Sequence, residues 1–147
     1  MAEDNCIFCN ISSGQEPTSV LEVETDEFVI FKDIKPASQH HYLAVTKKHY
    51  NSLKVLDKSH DPMVTRMESG LKEFLTSKGI SVQDALFGFH LPPFITVNHL
   101  HMHAIAPRSE MGFLSRLILD PLFGSKPPTT RDYTFHKRKA CSEIGLN

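Results

Sequence analysis

Net charge, long apolar runs and cysteine are scarce in this chain, and each shortage removes a class of function. Sixteen Lys and Arg against 17 Asp and Glu leave a net charge of -1 over 147 residues. Gripping nucleic acid or an anionic membrane by bulk electrostatics needs a large basic excess, so neither partner is expected. A small phosphate-bearing ligand needs only a local site and stays open. No apolar run approaches the roughly 20 residues of a bilayer-spanning helix. Met1–Asn5 is acidic and lacks an apolar stretch, so no secretory signal is expected, and Ala2 excludes N-myristoylation. The expected compartment is the cytosol, with the nucleus open to a chain this small. Three cysteines cannot form a disulfide framework in a reducing compartment, and Cys141 reads as a free thiol in a tail.

The remaining composition, 40% hydrophobic and 22% charged, is that of one globular domain with a real core. Val20–Val23 and Phe28–Phe31 are β-rich runs around a turn at Thr25–Glu27, and so predict a hairpin. Lys35–Ser38 breaks the second strand, because Pro36 cannot donate to a ladder. His41–Thr46 reads as a third strand. Asp57–Lys78 reads as the long helix, since Met63, Val64, Met67, Leu71, Phe74 and Leu75 recur at helical spacing. Asp57, or Asp61 followed by Pro62, fits its start and Gly79 its stop. Ala85–Phe89 and His99–Ala106 predict two more strands, separated by a rigid loop at Leu91–Phe94 and closed by Pro107. The domain is placed at residues 1–119, and Asp120–Asn147, turn-rich and aperiodic, reads as a poorly ordered tail.

What the chain has in excess is histidine, nine residues in all. The informative run is His99-Leu100-His101-Met102-His103-Ala104-Ile105. Strand alternation puts His99, His101 and His103 on one face, with Cα atoms about 6.5–7 Å apart. Each ring carries two polar nitrogens, so a buried row of them demands partners. The row can be structural, can hold a metal, or can act in nucleophilic catalysis, one ring attacking while its neighbours position it. A neutral imidazole is a competent nucleophile toward phosphorus near pH 7, and neighbouring rings can stabilise phosphate oxygens and protonate a leaving group.

This run resembles the motif of the histidine triad (HIT) family, His-φ-His-φ-His-φ-φ with φ apolar, at every position. Phe31–Pro36, His41–Leu43 and Lys47-Lys48-His49 resemble its second conserved block in order and spacing, and the likeness runs from about Asn5 to Leu119. Gly88–Phe94 and Gly112–Ser115 are similar to the third branch of the Hint type, the purine phosphoramidases. The resemblance implies an α+β, HIT-like fold: an antiparallel five-stranded sheet with one long helix, paired into a homodimer or larger homo-oligomer, with hetero-oligomers among Hint proteins allowed. It implies cleavage of adenosine 5′-monophosphoramidates, and of acyl-adenylates as side substrates, through a covalent AMP-histidine, with no cofactor required for catalysis.

By the same resemblance, His101 is the nucleophile, His103 contacts the phosphate, His99 supports the triad and His41 stands behind His101. Asp33 accepts from the ribose hydroxyls, Phe31 and Ile34 line the base pocket, and Thr96 takes the place of a phosphate-binding Ser. The chain departs from the best-known Hint branch in three ways. Gly88 replaces an Asn, Pro92-Pro93-Phe94 replaces a Gly-rich stretch, and there is no Trp to shape the leaving-group pocket. Cys6-Ile7-Phe8-Cys9 has metal-ligand spacing, with two thiols packing beside Phe8 as the alternative. The resemblance supplies the other two ligands of a structural zinc, His49 and His99. A redox reading is weaker, because the pair opens no βαβ unit.

Other functions fit less well. A dinucleotide polyphosphate hydrolase of the related Fhit type carries Gln where this chain has Val97. A non-catalytic nucleotide-binding scaffold leaves the complete set of catalytic positions unexplained. A metal enzyme using the triad as ligands lacks a nearby strand-end carboxylate.

Overall fold

The structure, a computed structural model, describes residues 5–89 and 97–112. The tail expected at Asp120–Asn147, the loop Leu91–Phe94 and Thr96 lie outside the described residues. Five antiparallel strands form one sheet: β1 (Leu21–Glu24), β2 (Phe28–Lys32), β3 (His40–Thr46), β4 (Leu86–Gly88) and β5 (His101–Ala106), in the order β1-β2-β3-β5-β4. Thr25 closes the first hairpin. Its hydroxyl donates to the Phe28 carbonyl at 2.9 Å and accepts from the Phe28 and Glu27 amides at 3.0 and 3.2 Å. Ser38 then ties the loop after β2 to the end of β5, donating to the Pro107 carbonyl at 2.7 Å.

Antiparallel register decides which side chains share a face. Val29 pairs with Val45 and Val45 with His101; Phe31 pairs with Leu43 and Leu43 with His103. These residues form one face. Phe28, Ile30, Tyr42, Ala44, Met102 and Ala104 form the other, and the long helix α2 (Asp61–Ser77) covers it. Its predicted stripe is the stripe that is buried, each side chain contributing about 1.5–3 kcal/mol. Gly70 lets the helix approach β2 closely, since a Cβ there would lie 2.8 Å from Cζ of Phe28. Gly79, at φ 75°, ends the helix with the left-handed turn glycine tolerates best.

Two boundaries differ from expectation. The helix begins at Asp61, not Asp57; residues Lys58–His60 form a 3-10 turn that Asp57 and His60 cap reciprocally. Pro62 has no N–H to donate back to Lys58, so the α-helical ladder cannot extend past it. A second, short helix, α1 (Ile7–Ser12), was not expected, because six residues are too few for a periodic signal. Its Phe8 and Ile11 pack on Val29, Phe31, Leu43 and Val45 on the histidine face. Among the described residues, no helix is long and apolar enough to cross a membrane.

Leu71 is fully buried between α2 and the sheet. Leu71→Ala should lower unfolding free energy by about 2–5 kcal/mol, read as an earlier urea midpoint. A midpoint within error of the parent would refute this account of the core.

Candidate active site

His101 sits at the start of β5, opposite Val45. Its Nδ1 lies 2.6 Å from the main-chain oxygen of His99. A carbonyl can only accept, so Nδ1 carries the proton and Nε2 carries the lone pair. The ring is buried, and the edge of Phe8 packs against it at 5.0 Å. Burial pushes the His101 pKa below 6.5, against the opposing pull of the His99 hydrogen bond and the Asp33 charge. The ring is therefore neutral at pH 7, with its nucleophilic lone pair on Nε2.

A second chain of hydrogen bonds fixes His103. The Ala37 amide donates to Nδ1 of His41 at 3.0 Å, so the His41 proton is on Nε2. That nitrogen lies 2.8 Å from Nδ1 of His103 and 3.3 Å from Asp33 Oδ2. His103 thus accepts at Nδ1, and its own proton sits on Nε2. Burial, opposed by Asp33 and reinforced by His101, lowers the His41 pKa and keeps this ring neutral too. The expected place of His41, behind His101, is corrected here: it bonds His103, because register sets His41 across from Ile105 while the His99 carbonyl already holds His101. Asp33 also supplies the carboxylate that chain order did not place near the triad. The 2.8 Å contact between His41 and His103 is a hydrogen bond, so these two nitrogens face each other rather than a shared ion.

His101, His103 and His41 line a cleft of about 700 Å³. Phe31 and Asp33 line it as well. Phe31 is also core, meeting Phe8 edge-on at 5.7 Å. Asp33 accepts from the Lys35 amide through Oδ1 at 2.8 Å. Ile34, expected in the base pocket, stands on the rim and is 91% exposed. Ile7, Phe8 and Ile11 complete the apolar wall and went unassigned from sequence. The i, i+3 spacing of Phe8 and Ile11 was the available signal, masked by the thiols beside it.

His99 was expected within the strand, but β5 begins at His101. The Leu100 amide leaves the ladder to donate to the Tyr50 carbonyl at 2.7 Å. The His99 ring, fully buried, is held at Nε2 by the Thr46 carbonyl at 2.6 Å. That places its Nδ1 3.3 Å from Cys6 Sγ and 3.4 Å from Cys9 Sγ. Burial lowers its pKa to about 4, against the Thr46 bond and with help from His49 and His101. His49 repeats the arrangement, with Nε2 2.8 Å from Asn51 Oδ1 and Nδ1 3.2 Å from Cys9 Sγ. The four ligand atoms lie within 4.8 Å of one another. Around a tetrahedral zinc, sulfur and nitrogen ligands stand about 3.3–3.8 Å apart, so this donor set fits, its outward ring nitrogens bonded to oxygen as metal-binding histidines require.

A family model described as scavenger mRNA decapping enzyme C-term binding matches residues 5–118. Adenosine 5'-monophosphoramidase HINT3 of Mus musculus is 47% identical over 118 residues, 79% of this chain and 72% of that one. The chain belongs to the histidine triad family, in its Hint type. Another Hint relative, the bifunctional adenosine 5'-phosphosulfate phosphorylase/adenylylsulfatase HINT4 of Arabidopsis thaliana, is 41% identical over 103 residues, 69% of each chain. The fold agrees with a histidine triad protein from Clostridium difficile at a TM-score of 0.65 and 27% identity, covering 85% of this chain and 95% of that one.

The buried triad rings make stability depend on pH. His41, His99 and His101 all have folded pKa values below 6.5, so the unfolded chain binds more protons as pH falls. Their contribution is present above about pH 6.5 and is lost on descent toward about pH 4. Calorimetry at constant ionic strength should show a falling Tm between pH 7 and pH 5; a flat profile would contradict these assignments.

Proposed function

We propose that this protein is a nucleotide hydrolase that cleaves adenosine 5′-monophosphoramidates to AMP and an amine through a covalent AMP-His101. The observation that carries the reading is the neutral His101, with its proton locked on Nδ1, at the wall of a nucleotide-sized cleft. Nε2 of His101 attacks the α-phosphorus, and the P–N bond breaks opposite the new N–P bond. The Nε2–H of His103 donates to the phosphoryl oxygens, and the departing amine takes its proton from water in the cleft. Water then attacks the phosphorus and releases AMP with His101 neutral again. His41 acts by holding His103 in the tautomer that can donate. His99 holds His101 through its carbonyl.

Asp33 accepts from the ribose hydroxyls, Phe31 packs on the base with Ile34 at the rim, and Thr96 donates to the phosphate. The mouse relative bears the name of this activity, and the Arabidopsis relative bears the name of one on adenosine 5'-phosphosulfate. That second name supports acyl-adenylates and similar AMP anhydrides as further substrates, since the same attack releases a better leaving group. We read the assembly as a homodimer, as the resemblance to the Hint type implies. We also propose zinc on Cys6, Cys9, His49 and His99. There it would supply structural cross-linking of α1 to the sheet, and it takes no part in the steps above.

Incubation with an adenosine phosphoramidate should yield an AMP adduct by intact mass, followed by AMP and free amine. His101→Ala should abolish the adduct and lower turnover by about a thousandfold or more. A wild type that neither turns over nor labels would sink the enzyme reading. Elemental analysis should find zinc near one per chain, with both the metal and several degrees of Tm lost in Cys9→Ser. Metal-free protein with an unchanged Tm on chelation would remove the zinc.

A further inference from the structure

Two clefts are lined by residues of α1. The first holds the nucleotide site. The second, of about 580 Å³, is lined by Cys9, His49, Lys47, Lys48 and other polar residues, and shares none of the triad rings with the first. A small molecule can therefore reach Cys9 without passing through the substrate site. Cys6 and Cys9 are half-buried, carry no disulfide, and have their sulfurs within 4.8 Å of each other. Cys6 caps α1 and Cys9 lies in its first turn, so side-chain rotation can close the gap to the bond length of about 2.05 Å.

We propose that Cys6 and Cys9 form an oxidisable clasp on the nucleophile. The Cys9 thiolate attacks a small-molecule disulfide that enters through the Lys47–His49 cleft, releasing one thiol. The Cys6 thiolate then attacks the Cys9 sulfur of the mixed disulfide, forming Cys6–Cys9 and releasing the second. Two cysteines are oxidised, one small disulfide is reduced to two thiols, and the cysteine protons leave with them. The consequence follows from geometry. In the reduced protein both sulfurs face Nδ1 of His99, whose Nε2 is held by Thr46, and the same residue's carbonyl fixes His101. A sulfur–sulfur bond turns both atoms away from His99 and His49, expels any metal between them, and leaves the buried His99 acceptor without a donor. His99 then shifts, and its carbonyl no longer holds the His101 proton on Nδ1. Cys6 and Cys9 are positioning residues in this scheme, two hydrogen bonds removed from phosphorus.

The effect on turnover rests on His101 being the nucleophile; the clasp itself does not. The full chain should be treated with oxidised glutathione, mapped for disulfides by mass spectrometry, and followed by imidazole ¹⁵N NMR as well as by phosphoramidate turnover. The expected result is a Cys6–Cys9 bond, loss of the single Nδ1–H tautomer of His101, and a kcat lower by about tenfold to a hundredfold. Dithiothreitol should reverse all three, and Cys141→Ser should respond identically. Failure of the Cys6–Cys9 bond to form, or its formation with an unchanged His101 spectrum, overturns the proposal. A reduced protein that shows the NMR change on oxidation but never hydrolyses substrate supports the clasp and overturns the enzyme reading instead.

Discussion

The hydrogen bond from Nδ1 of His101 to the His99 carbonyl is the constraint around which this site is built. A free imidazole exchanges its proton between two nitrogens, and an attacking ring needs that proton held on one of them. Here the backbone does the holding, at 2.6 Å and inside the protein, where competing water is excluded. The same device recurs around it. The Ala37 amide fixes His41, the Thr46 carbonyl fixes His99, and His41 passes its assignment on to His103. Each ring is thereby single in tautomer and aimed, with Asp33 the one formal charge beside the His41–His103 pair.

Such a set of rings stands only if the backbone beneath it is rigid. Strands β3 and β5 provide this by lying side by side at the centre of the sheet, with β2 and β4 beyond them. On the far face, the apolar stripe of α2 fills the space beneath Met102 and Ala104. On the near face, α1 brings Phe8 against both His99 and His101. Burial has two results at once: it excludes water from the hydrogen bonds and it lowers the histidine pKa values. Stability and nucleophilicity therefore draw on the same packing.

His99 joins two functions that the chain could have kept apart. Its ring belongs to the thiol cluster and its carbonyl to the nucleophile. Whatever occupies or alters the sulfurs is felt two residues later at His101, through main-chain atoms and not through a flexible linkage. This chain has Gly88 and no Trp, and its inner ring network is intact.

Much of this was legible in the residues alone. Alternation along β5 and the stripe of α2 are local patterns with a fixed geometric meaning, so the strands, the helix and the shared face of His101 and His103 could be read directly. The candidate ligands Cys6, Cys9, His49 and His99 came from spacing and resemblance together. Contacts between distant segments could not be read in this way. That His41 serves His103 instead of His101, that Asp33 closes on that pair, that His99 leaves the strand to face two thiols, and that α1 walls the cleft all depend on register and on which carbonyl lies within reach. A sequence specifies which groups can donate and accept; only the packed chain decides which donor meets which acceptor, because those choices are made by ångström-scale distances between residues up to 93 positions apart.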